Sequence, residues 1–409
     1  MNQKNQKGFL VFIGVLIGVV LGAALTIGGY AALRGALHLP VTIPGLKKDS
    51  AINAESTQKL RDLEQVIDDY YYDTEHVTKE QLEDGLYDGL LDSLGDPYSV
   101  YYNEEEMKEL MDNISGTYYG IGAYLQLDQK TNLPTITGTI PNTPAEAAGL
   151  LAGDIIYKVN DEEMYDIDID LVARKVRGPE GTQVHLTIYR EGEKDYLEYD
   201  ITRAKVDMVM VTSEMKEDGI GYLNISEFSD ITTPQFKEEL VSLQEQGMKA
   251  MILDLRGNPG GDVDVVTEIA NYFIPEGLVF YMEDKYGKKT EYKADGSKQL
   301  DLPLVVLVDG NSASAAEILS GAIKDSGTGT LLGTQTYGKG IVQTILDLHD
   351  GTAVKVTVAD YYTRNGNYIH KTGIEPDVVV EFDADAYRED KTDNQLNEAL
   401  ELIHTMMEE

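Results

Sequence analysis

A run of 25 residues without a charged side chain, residues 9–33, most constrains how this chain folds. A helix of that length rises about 1.5 Å per residue and spans the roughly 30 Å hydrocarbon core of a bilayer. We therefore predict that residues 1–37 form a membrane anchor with one N-terminal transmembrane helix. A cleaved signal peptide is the alternative, because Gly29-Tyr30-Ala31 offers a small-x-small site, although the apolar region of a signal peptide usually has only about 7–15 residues.

The rest of the chain is strongly acidic. The 409 residues carry 34 Lys and Arg against 71 Asp and Glu, a formal charge of −37; residues 1–37 hold three bases and no acid, which leaves 31 bases against 71 acids, or −40. Such a surface repels phosphate backbones, so we expect no nucleic-acid partner. The anionic cytoplasmic leaflet would repel it too, so we expect a single-pass protein of the cell membrane with an extracytoplasmic soluble part.

The chain contains no cysteine, which excludes disulfides, thiol nucleophiles and Cys-ligated metal centres. Its six histidines are scattered, and no two have the spacing of metal ligands. We therefore predict neither a metal nor a cofactor. A Ser-His-Asp triad has no fixed spacing, so the sequence leaves it open.

The length predicts two or three domains. Residues 38–54, with two prolines and a glycine and without periodicity, indicate a linker. Apolar residues at helical spacing predict helices over about 55–72 and 78–94, before a turn at Gly95-Asp96-Pro97. We assign residues 55–115 to an N-terminal helical region.

Strands and turns dominate the next region. Short alternating runs predict strands at 123–127, 135–140, 154–159 and 183–189. Apolar runs at 250–255 and 304–308 then precede glycine-containing turns and helical patterns, which is typical of α/β architecture. A last helix is expected over about 394–407, within an acidic C-terminal segment, 386–409.

Three loops are candidates for chemistry. Ser314 follows an apolar strand and precedes a helix, where unpaired N–H groups favour a developing oxyanion; a simple helix cap is the alternative. Lys339 lies between two glycines and would act as a general base if burial lowered its pKa, but it is also typical of a solvated loop. The loop 254–261 offers backbone N–H groups for an oxyanion hole, or is merely a tight turn.

Together the three loops carry a family resemblance. The motifs DLRGNPGG (254–261), NSASAAEI (311–318) and TYGKGIVQ (336–343), in that order and spacing, resemble the carboxyl-terminal processing proteases, serine peptidase family S41. The resemblance implies that Ser314 is the nucleophile, Lys339 the general base and Gln343 the side chain that orients the lysine. It also implies an oxyanion hole made by the N–H of Ala315 and that of Gly260 or Gly261.

One departure from the family pattern lies within the motif 311–318, two residues after Ser314. The family often continues Ser-Ala-Ser-Ala-Ser-Glu, whereas position 316 is Ala here. Ser312 remains as a competing nucleophile. We favour Ser314 because it lies 25 residues before Lys339, as in the family.

The strand-rich region resembles a PDZ domain. Tyr119-Gly120-Ile121-Gly122 before an apolar run is similar to the carboxylate-binding loop, and residues 147–160 are similar to a second PDZ signature. Backbone N–H groups of Gly120, Ile121, Gly122 and Ala123 would bind a terminal carboxylate, and the following strand edge would pair with the peptide. Arg177, in a basic patch, is a candidate for coupling peptide binding to the core; a plain surface patch is the alternative.

These expectations combine into an α/β chain with a crotonase/ClpP-like protease core (207–385), a mainly β PDZ domain (116–206), helical arms and the anchor. The resemblance also implies a homodimer. We expect a membrane-anchored serine endopeptidase that binds proteins or peptides with apolar C-termini, for C-terminal processing or regulatory proteolysis. The alternatives are a catalytically silent PDZ adaptor and a crotonase-like enzyme acting on thioesters.

Overall fold

The computed structural model describes residues 50–128 and 131–408. The predicted anchor and most of the predicted linker lie outside these residues. Within the described ranges no helix is both long and apolar enough to cross a membrane. The chain divides into two compact units, one ending at Lys79 and one beginning at Glu80.

The described part of the smaller unit, residues 50–79, is helical, as predicted. Its helix α1 (Ala54–Tyr70) begins at Asn53, whose side chain accepts hydrogen bonds from the N–H groups of Glu55 and Ser56. These bonds satisfy donors that the first turn of a helix leaves unpaired. A short 3₁₀ turn, Thr74–His76, follows.

From Lys79 onward, helices and strands alternate along the chain. The helices are α2 (Lys79–Asp92), α3 (Glu104–Ser115), α4 (Pro144–Ala148), α5 (Ile169–Val176), α6 (Thr232–Glu245), α7 (Val263–Ala270), α8 (Ala315–Ser326), α9 (Ala384–Asp390) and α10 (Asn394–Glu408). The strands are β1 (Val100–Tyr102), β2 (Thr117–Gly120), β3 (Ala123–Leu127), β4 (Pro134–Thr139), β5 (Ile155–Val159), β6 (Glu162–Glu163), β7 (Gln183–Tyr189), β8 (Leu197–Thr202), β9 (Ala204–Asp207), β10 (Val211–Met215), β11 (Ile220–Ile225), β12 (Ala250–Asp254), β13 (Gly277–Asp284), β14 (Lys289–Ala294), β15 (Leu304–Val308), β16 (Thr330–Gly333), β17 (Ile341–Asp347), β18 (Ala353–Thr363) and β19 (Val378–Val379).

A mainly parallel sheet forms the centre of the larger unit. Its strand order is β10-β11-β12-β15-β16-β19, and only the β10–β11 pair is antiparallel. Every residue of β12 and β15 is buried, because α6, α7 and α8 cover one face of the sheet and α10 the other. Coverage on both faces is what continuous apolar strands require.

A second, antiparallel sheet packs on α8 from the other side. Its order is β1-β18-β13-β14, with β17 also paired to β18. The buried aromatic rings of Phe280 and Tyr361 extend the core from this sheet to α8. Helix α8 therefore lies between the two sheets.

The region predicted as a PDZ domain has its own sheet and core. The strand order is β3-β4-β5-β7-β8, and β6 pairs with β5. Helices α4 and α5 contribute Ala145, Val172 and Val176 to its buried cluster. The antiparallel pair β2–β9 lies at its two chain connections.

An ion-pair network ties α10 to the loop after β12. Arg256 donates to Asp254 (Nη2 to Oδ2, 2.6 Å) and to Asp393 (Nη2 to Oδ2, 2.8 Å), while its Nη1 donates to Gln395 (3.0 Å). Planar guanidinium groups suit such multiple contacts. The network fixes the start of the DLRGNPGG loop against the last helix.

The predicted strands agree closely with the observed ones. β3, β7 and β15 have the predicted bounds, and the others differ by a residue. The helix α5 was not anticipated in a region expected to contain strands and turns. The antiparallel sheet was also not anticipated, because its strands mix exposed and half-buried residues without clean alternation.

Candidate active site

Ser314 lies at a sharp corner between β15 and α8. Its backbone has φ 53° and ψ −114°, a conformation that residues other than glycine rarely adopt, and α8 begins at the next residue. The loop before it is held by Asp309, whose Oδ1 accepts from the N–H groups of Gly257 (2.9 Å), Asn311 (3.0 Å) and Ser312 (3.0 Å). This support maintains the strained corner.

The two candidate serines have different surroundings. The hydroxyl of Ser312 is fully buried; it donates to the carbonyl of Leu255 (2.8 Å) and accepts from the N–H of Asp309 (2.9 Å). Ser314 is half-buried; its oxygen faces the N–H of Glu317 in a capping box at the start of α8, but its hydroxyl donates to no acceptor within the described residues. Ser312 is thus occupied in holding the loop, whereas Ser314 is available as a nucleophile.

Lys339 lies in the loop between β16 and β17. Burial, followed by repulsion from Lys355 on β18, lowers the pKa of Lys339, and the nearby Glu317 and Asp96 only partly oppose this. The loop conformation depends on Gly338, at φ 87°, where a Cβ would come within 2.8 Å of the Gly373 nitrogen. The lowered pKa suits a lysine that must be neutral to accept a proton.

Glu317, in the first turn of α8, joins the two loops. Its side chain is completely buried and accepts hydrogen bonds from Ser314 N (2.9 Å), Thr336 Oγ1 (2.6 Å), Gly338 N (2.7 Å) and Lys339 N (2.8 Å). A buried carboxylate needs such donors to replace water. The role of Glu317 was not predicted from the sequence, although its position three residues after a helix cap was an available signal.

The oxyanion-hole candidates meet beside Ser314. A Cβ added to Gly260 would lie 2.7 Å from the Ser314 Cβ and 2.9 Å from the Ala315 nitrogen. The N–H of Gly260 donates to Asn258 Oδ1 (2.8 Å), whereas no hydrogen bond from the N–H of Gly261 or Ala315 occurs in the described parts of the chain. Gly261 and Ala315 therefore have the donors available for an oxyanion.

Gln343 is near the lysine loop but is bonded elsewhere. Its Nε2 donates to Thr357 Oγ1 (3.3 Å) on β18. In the residues that the structure describes, no hydrogen bond joins Lys339 Nζ to Gln343 or to the Ser314 hydroxyl. The amine instead lies over the ring of Tyr98, 4.8 Å from its centroid. Tyr98 was not anticipated from the sequence, which marked the segment only as a turn.

A cleft of about 430 Å³ lies between the predicted PDZ domain and the core. Its walls are β3 and the preceding loop, α5, and core residues, including Ile121, Gly122, Leu125, Ala173, Met208 and Glu227. The N–H groups of Ile121 and Gly122 donate no hydrogen bond within the described residues, as a carboxylate-binding loop requires. The side chain of Ile121 itself is buried in the domain core.

Two basic residues of the predicted coupling patch contact other elements. The guanidinium of Arg177 lies over the ring of Tyr118, 4.5 Å from its centroid, at the rim of the cleft. Arg174 on α5 reaches Glu109 on α3 (Nη1 to Oε1, 3.7 Å). Exposed ion pairs at such distances contribute little to stability, so this pair adds little to the packing of α5 against α3.

One short segment connects the cleft with the oxyanion loop. Ser226 and Glu227 line the cleft, and burial raises the pKa of Glu227. The next residue, Phe228, donates its N–H to the carbonyl of Gly260 (2.8 Å) and forms a β-bridge with Gly261. The backbone that lines the cleft thus continues directly into contact with the glycines beside Ser314.

Within the described residues, no group of three or more His, Asp or Glu side chains is placed to hold a metal ion. The hydroxyl, the amine and the backbone N–H groups of the site suit acyl transfer.

Comparisons with known proteins show the family of the chain. The model of Peptidase family S41 matches residues 219–380, that of the PDZ domain residues 135–190, and that of the activating protease CtpB N-terminal domain residues 20–106. The chain is 35% identical to the carboxy-terminal processing protease CtpA of Bacillus subtilis (strain 168) over 380 residues, covering 92% of this chain and 78% of that protein.

Two further similarities extend the comparison. The carboxy-terminal processing protease CtpB of the same organism is 32% identical over 390 residues, with 93% of this chain and 78% of that protein covered. Among solved structures, a putative S41 protease from Bacteroides fragilis aligns with a TM-score of 0.52 at 19% identity, covering 78% of this chain and 90% of that one. The latter similarity shows a shared fold.

Proposed function

Because this chain belongs to the carboxy-terminal processing proteases of peptidase family S41, which are serine peptidases, we propose that it is an endopeptidase with Ser314 as nucleophile and Lys339 as general base. The observation that carries the proposal is the link through Glu317, which positions the strained Ser314 corner and the Lys339 loop with one buried carboxylate. The Gln343 side chain would orient the lysine amine after breaking its hydrogen bond to Thr357.

The reaction follows from these groups. Lys339 Nζ takes the proton of the Ser314 hydroxyl while Oγ bonds to the substrate carbonyl carbon, and the carbonyl electron pair moves to oxygen. The N–H groups of Ala315 and Gly261 stabilise that oxyanion. The lysine ammonium then gives its proton to the leaving amine, the acyl-enzyme forms, and water releases the acid by the same proton path. The Ser314 hydroxyl, whose proton has no acceptor in the described residues, and the lowered pKa of Lys339 support this sequence of steps.

The cleft beside β3 supports recognition of a substrate C-terminus. Its unpaired N–H groups suit a terminal carboxylate, and its aliphatic lining suits apolar terminal residues. Arg177 at the rim would sense the bound terminus, and the segment through Phe228 would connect it with the oxyanion loop.

The uncharged run at residues 9–33 supports a single-pass anchor, and the acidic remainder supports an extracytoplasmic location. We therefore propose a membrane-anchored enzyme, which would act as a homodimer through its helical arms, as the family resemblance implies. Proteins with accessible, unfolded C-termini are the expected substrates.

The test compares Ser314→Ala with Ser312→Ala in the full chain, using a labelled unfolded polypeptide with an apolar C-terminus. We expect Ser314→Ala to abolish cleavage and to lower the free energy of unfolding by no more than about 1 kcal/mol, because only the capping contact with the Glu317 N–H is lost. Ser312→Ala should lower the free energy of unfolding by about 1–3 kcal/mol yet retain cleavage, because it removes the acceptor of the Asp309 N–H and one of the two donors to the Leu255 carbonyl. The reverse pattern would make Ser312 the nucleophile.

A further inference from the structure

The turn between α2 and β1 brings an aromatic ring to the proposed base. The nitrogen Nζ of Lys339 lies 4.8 Å from the centroid of the Tyr98 ring. Among the residues that the structure describes, no carboxylate or hydroxyl lies within hydrogen-bonding distance of this nitrogen. The ring face is therefore the contact that holds the amine.

The ring is fixed by the turn that carries it. The N–H of Tyr98 donates to Asp96 Oδ1 (3.1 Å), and the Ser99 hydroxyl donates to Asp96 Oδ2 (2.6 Å). Ser99 is buried, and its Oγ accepts from the N–H of Thr357 on β18 (3.2 Å). The turn is thus anchored to β18 at Thr357, the residue whose hydroxyl also accepts from the Gln343 side chain. The antiparallel sheet therefore sets the position of the ring.

We propose that Tyr98 is a positioning residue for catalysis, whose ring face holds the Lys339 amine and stabilises the ammonium formed when Lys339 takes the proton of Ser314. This inference rests on the proposed Ser-Lys mechanism. The quadrupole of an aromatic ring attracts a cation over its face and attracts a neutral amine much less. The interaction therefore strengthens as the proton moves, and interactions that are stronger in the transition state raise the rate.

The charges around Lys339 leave room for such a contribution. Lys355 on β18 repels the ammonium, while Glu317 on α8 and Asp96 in the turn attract it. Glu317 is already engaged with four donors. The Tyr98 ring thus adds a stabilising contact directly at the amine.

The hydroxyl of Tyr98 is not a proton donor or acceptor in this proposal. It lies 3.4 Å from the hydroxyl of Tyr337, which is exposed, and this contact, burial and nearby acids raise the pKa of Tyr98 to about 12. The group therefore stays neutral at physiological pH. Only the ring face acts on the lysine. An experiment can therefore test the ring face and the hydroxyl of Tyr98 separately.

The experiment replaces Tyr98 in the full chain by Phe and then by phenylalanines with increasing ring fluorination, which preserve the shape and weaken the quadrupole. We expect Tyr98→Phe to keep kcat/KM within about twofold, and the most fluorinated ring to lower it by about 3- to 30-fold through kcat. The acidic limb of the rate profile should move to lower pH along the series, because the ammonium loses a partner and gives up its proton more readily. Tyr337→Phe, which removes only the neighbouring hydroxyl, is the control and should match the wild type.

Equal rates and an unmoved acidic limb along the fluorinated series would overturn the role of Tyr98. Ser314→Ala and Lys339→Ala are measured alongside with the same labelled unfolded polypeptide. If both abolish cleavage while the series is flat, the Ser-Lys mechanism stands and only the Tyr98 proposal fails. If either retains cleavage, the mechanism itself fails and Tyr98 has no ammonium to stabilise.

Discussion

The parallel and antiparallel sheets of the core each supply one half of the candidate active site, and they do so differently. Ser314 follows β15, a fully buried strand, and lies at the start of a helix that is packed on both sides. Lys339 lies in a loop that leads into β17. Its surroundings come from β18 and from the turn that carries Tyr98, 241 positions earlier in the chain.

The difference concerns what fixes each half. The nucleophile corner is fixed by local sequence, by glycines and by the burial of its strand. The lysine is positioned by contacts between segments far apart in the chain, which only the folded structure brings together. Glu317 is the residue that belongs to both, since it lies on the nucleophile helix and accepts from the lysine loop.

Replacing Glu317 should disturb both halves at once and have the largest effect. Glu317→Gln puts a donor where four donors converge on one carboxylate. We expect the free energy of unfolding to fall by at least about 2 kcal/mol and kcat/KM to fall by about 100-fold, because buried donors lose an acceptor and the two loops shift. Denaturant unfolding and peptidase assays measure the two effects.

The control for this variant is Glu268→Gln, which removes the same charge from a half-exposed pair with Lys237. Its effect on the free energy of unfolding should stay below about 1 kcal/mol. If Glu317→Gln behaved like Glu268→Gln, the two loops would not depend on this carboxylate.

A methyl group on Gly261 should break the nucleophile half alone. This glycine has φ 136°, and a Cβ there would lie 2.1 Å from the Phe228 carbonyl oxygen. We expect Gly261→Ala to lower the free energy of unfolding by about 2–5 kcal/mol and kcat/KM at least about tenfold, because the oxyanion loop must move.

Gly257→Ala is the matched control, since Gly257 has φ 72° but nothing within 4 Å of an added Cβ. It should cost about 1–2 kcal/mol of unfolding free energy for its backbone conformation and leave kcat/KM near the wild type. Equal losses of activity in both variants would show that backbone strain, rather than contact with Phe228, governs the loop.

Removing a charge from the antiparallel sheet should give the smallest effect, seen only in the pH profile. Lys355 repels the Lys339 ammonium and so helps to lower the pKa of Lys339. Without that repulsion Lys339 keeps its proton to higher pH, so Lys355→Met should move the acidic limb of kcat/KM upward. On the acidic limb we expect kcat/KM of Lys355→Met to be about 2- to 5-fold lower than that of the wild type at the same pH. The plateau at high pH should be unchanged.

Lys205→Met, which removes an exposed lysine of β9, serves as its control. The two profiles should differ at low pH and coincide on the plateau. A downward movement of the limb in Lys355→Met would contradict the assigned sign.

The features that local sequence fixes are also the ones that could be predicted from the sequence. Ser314, Lys339 and the loop 254–261 stood out because glycines and a strand-to-helix transition are local patterns. The strands β12 and β15 were found for a similar reason, since burial on both faces requires an unbroken apolar run. The assigned catalytic roles came from family resemblance and stay predictions.

The missed parts depend on contacts between distant segments. Tyr98 is one of 26 tyrosines, and nothing in its neighbourhood indicates that it reaches a lysine in another loop. The strand β18 has half-buried residues on both faces, so it lacks the alternation that predicts a strand. Helix α5 escaped because it is only eight residues long, between turns.

The contact between Arg256 and Asp393 has a consequence for the order in which the enzyme is assembled. The two residues are 137 positions apart, and at about 5–20 residues per second a ribosome needs several seconds or more to travel between them. During that time the loop that begins at Arg256 lacks its partner on α10. The loop beside Ser314 therefore gains this support only after Asp393 has been made, so a nascent chain carries its proposed nucleophile before it carries a finished catalyst.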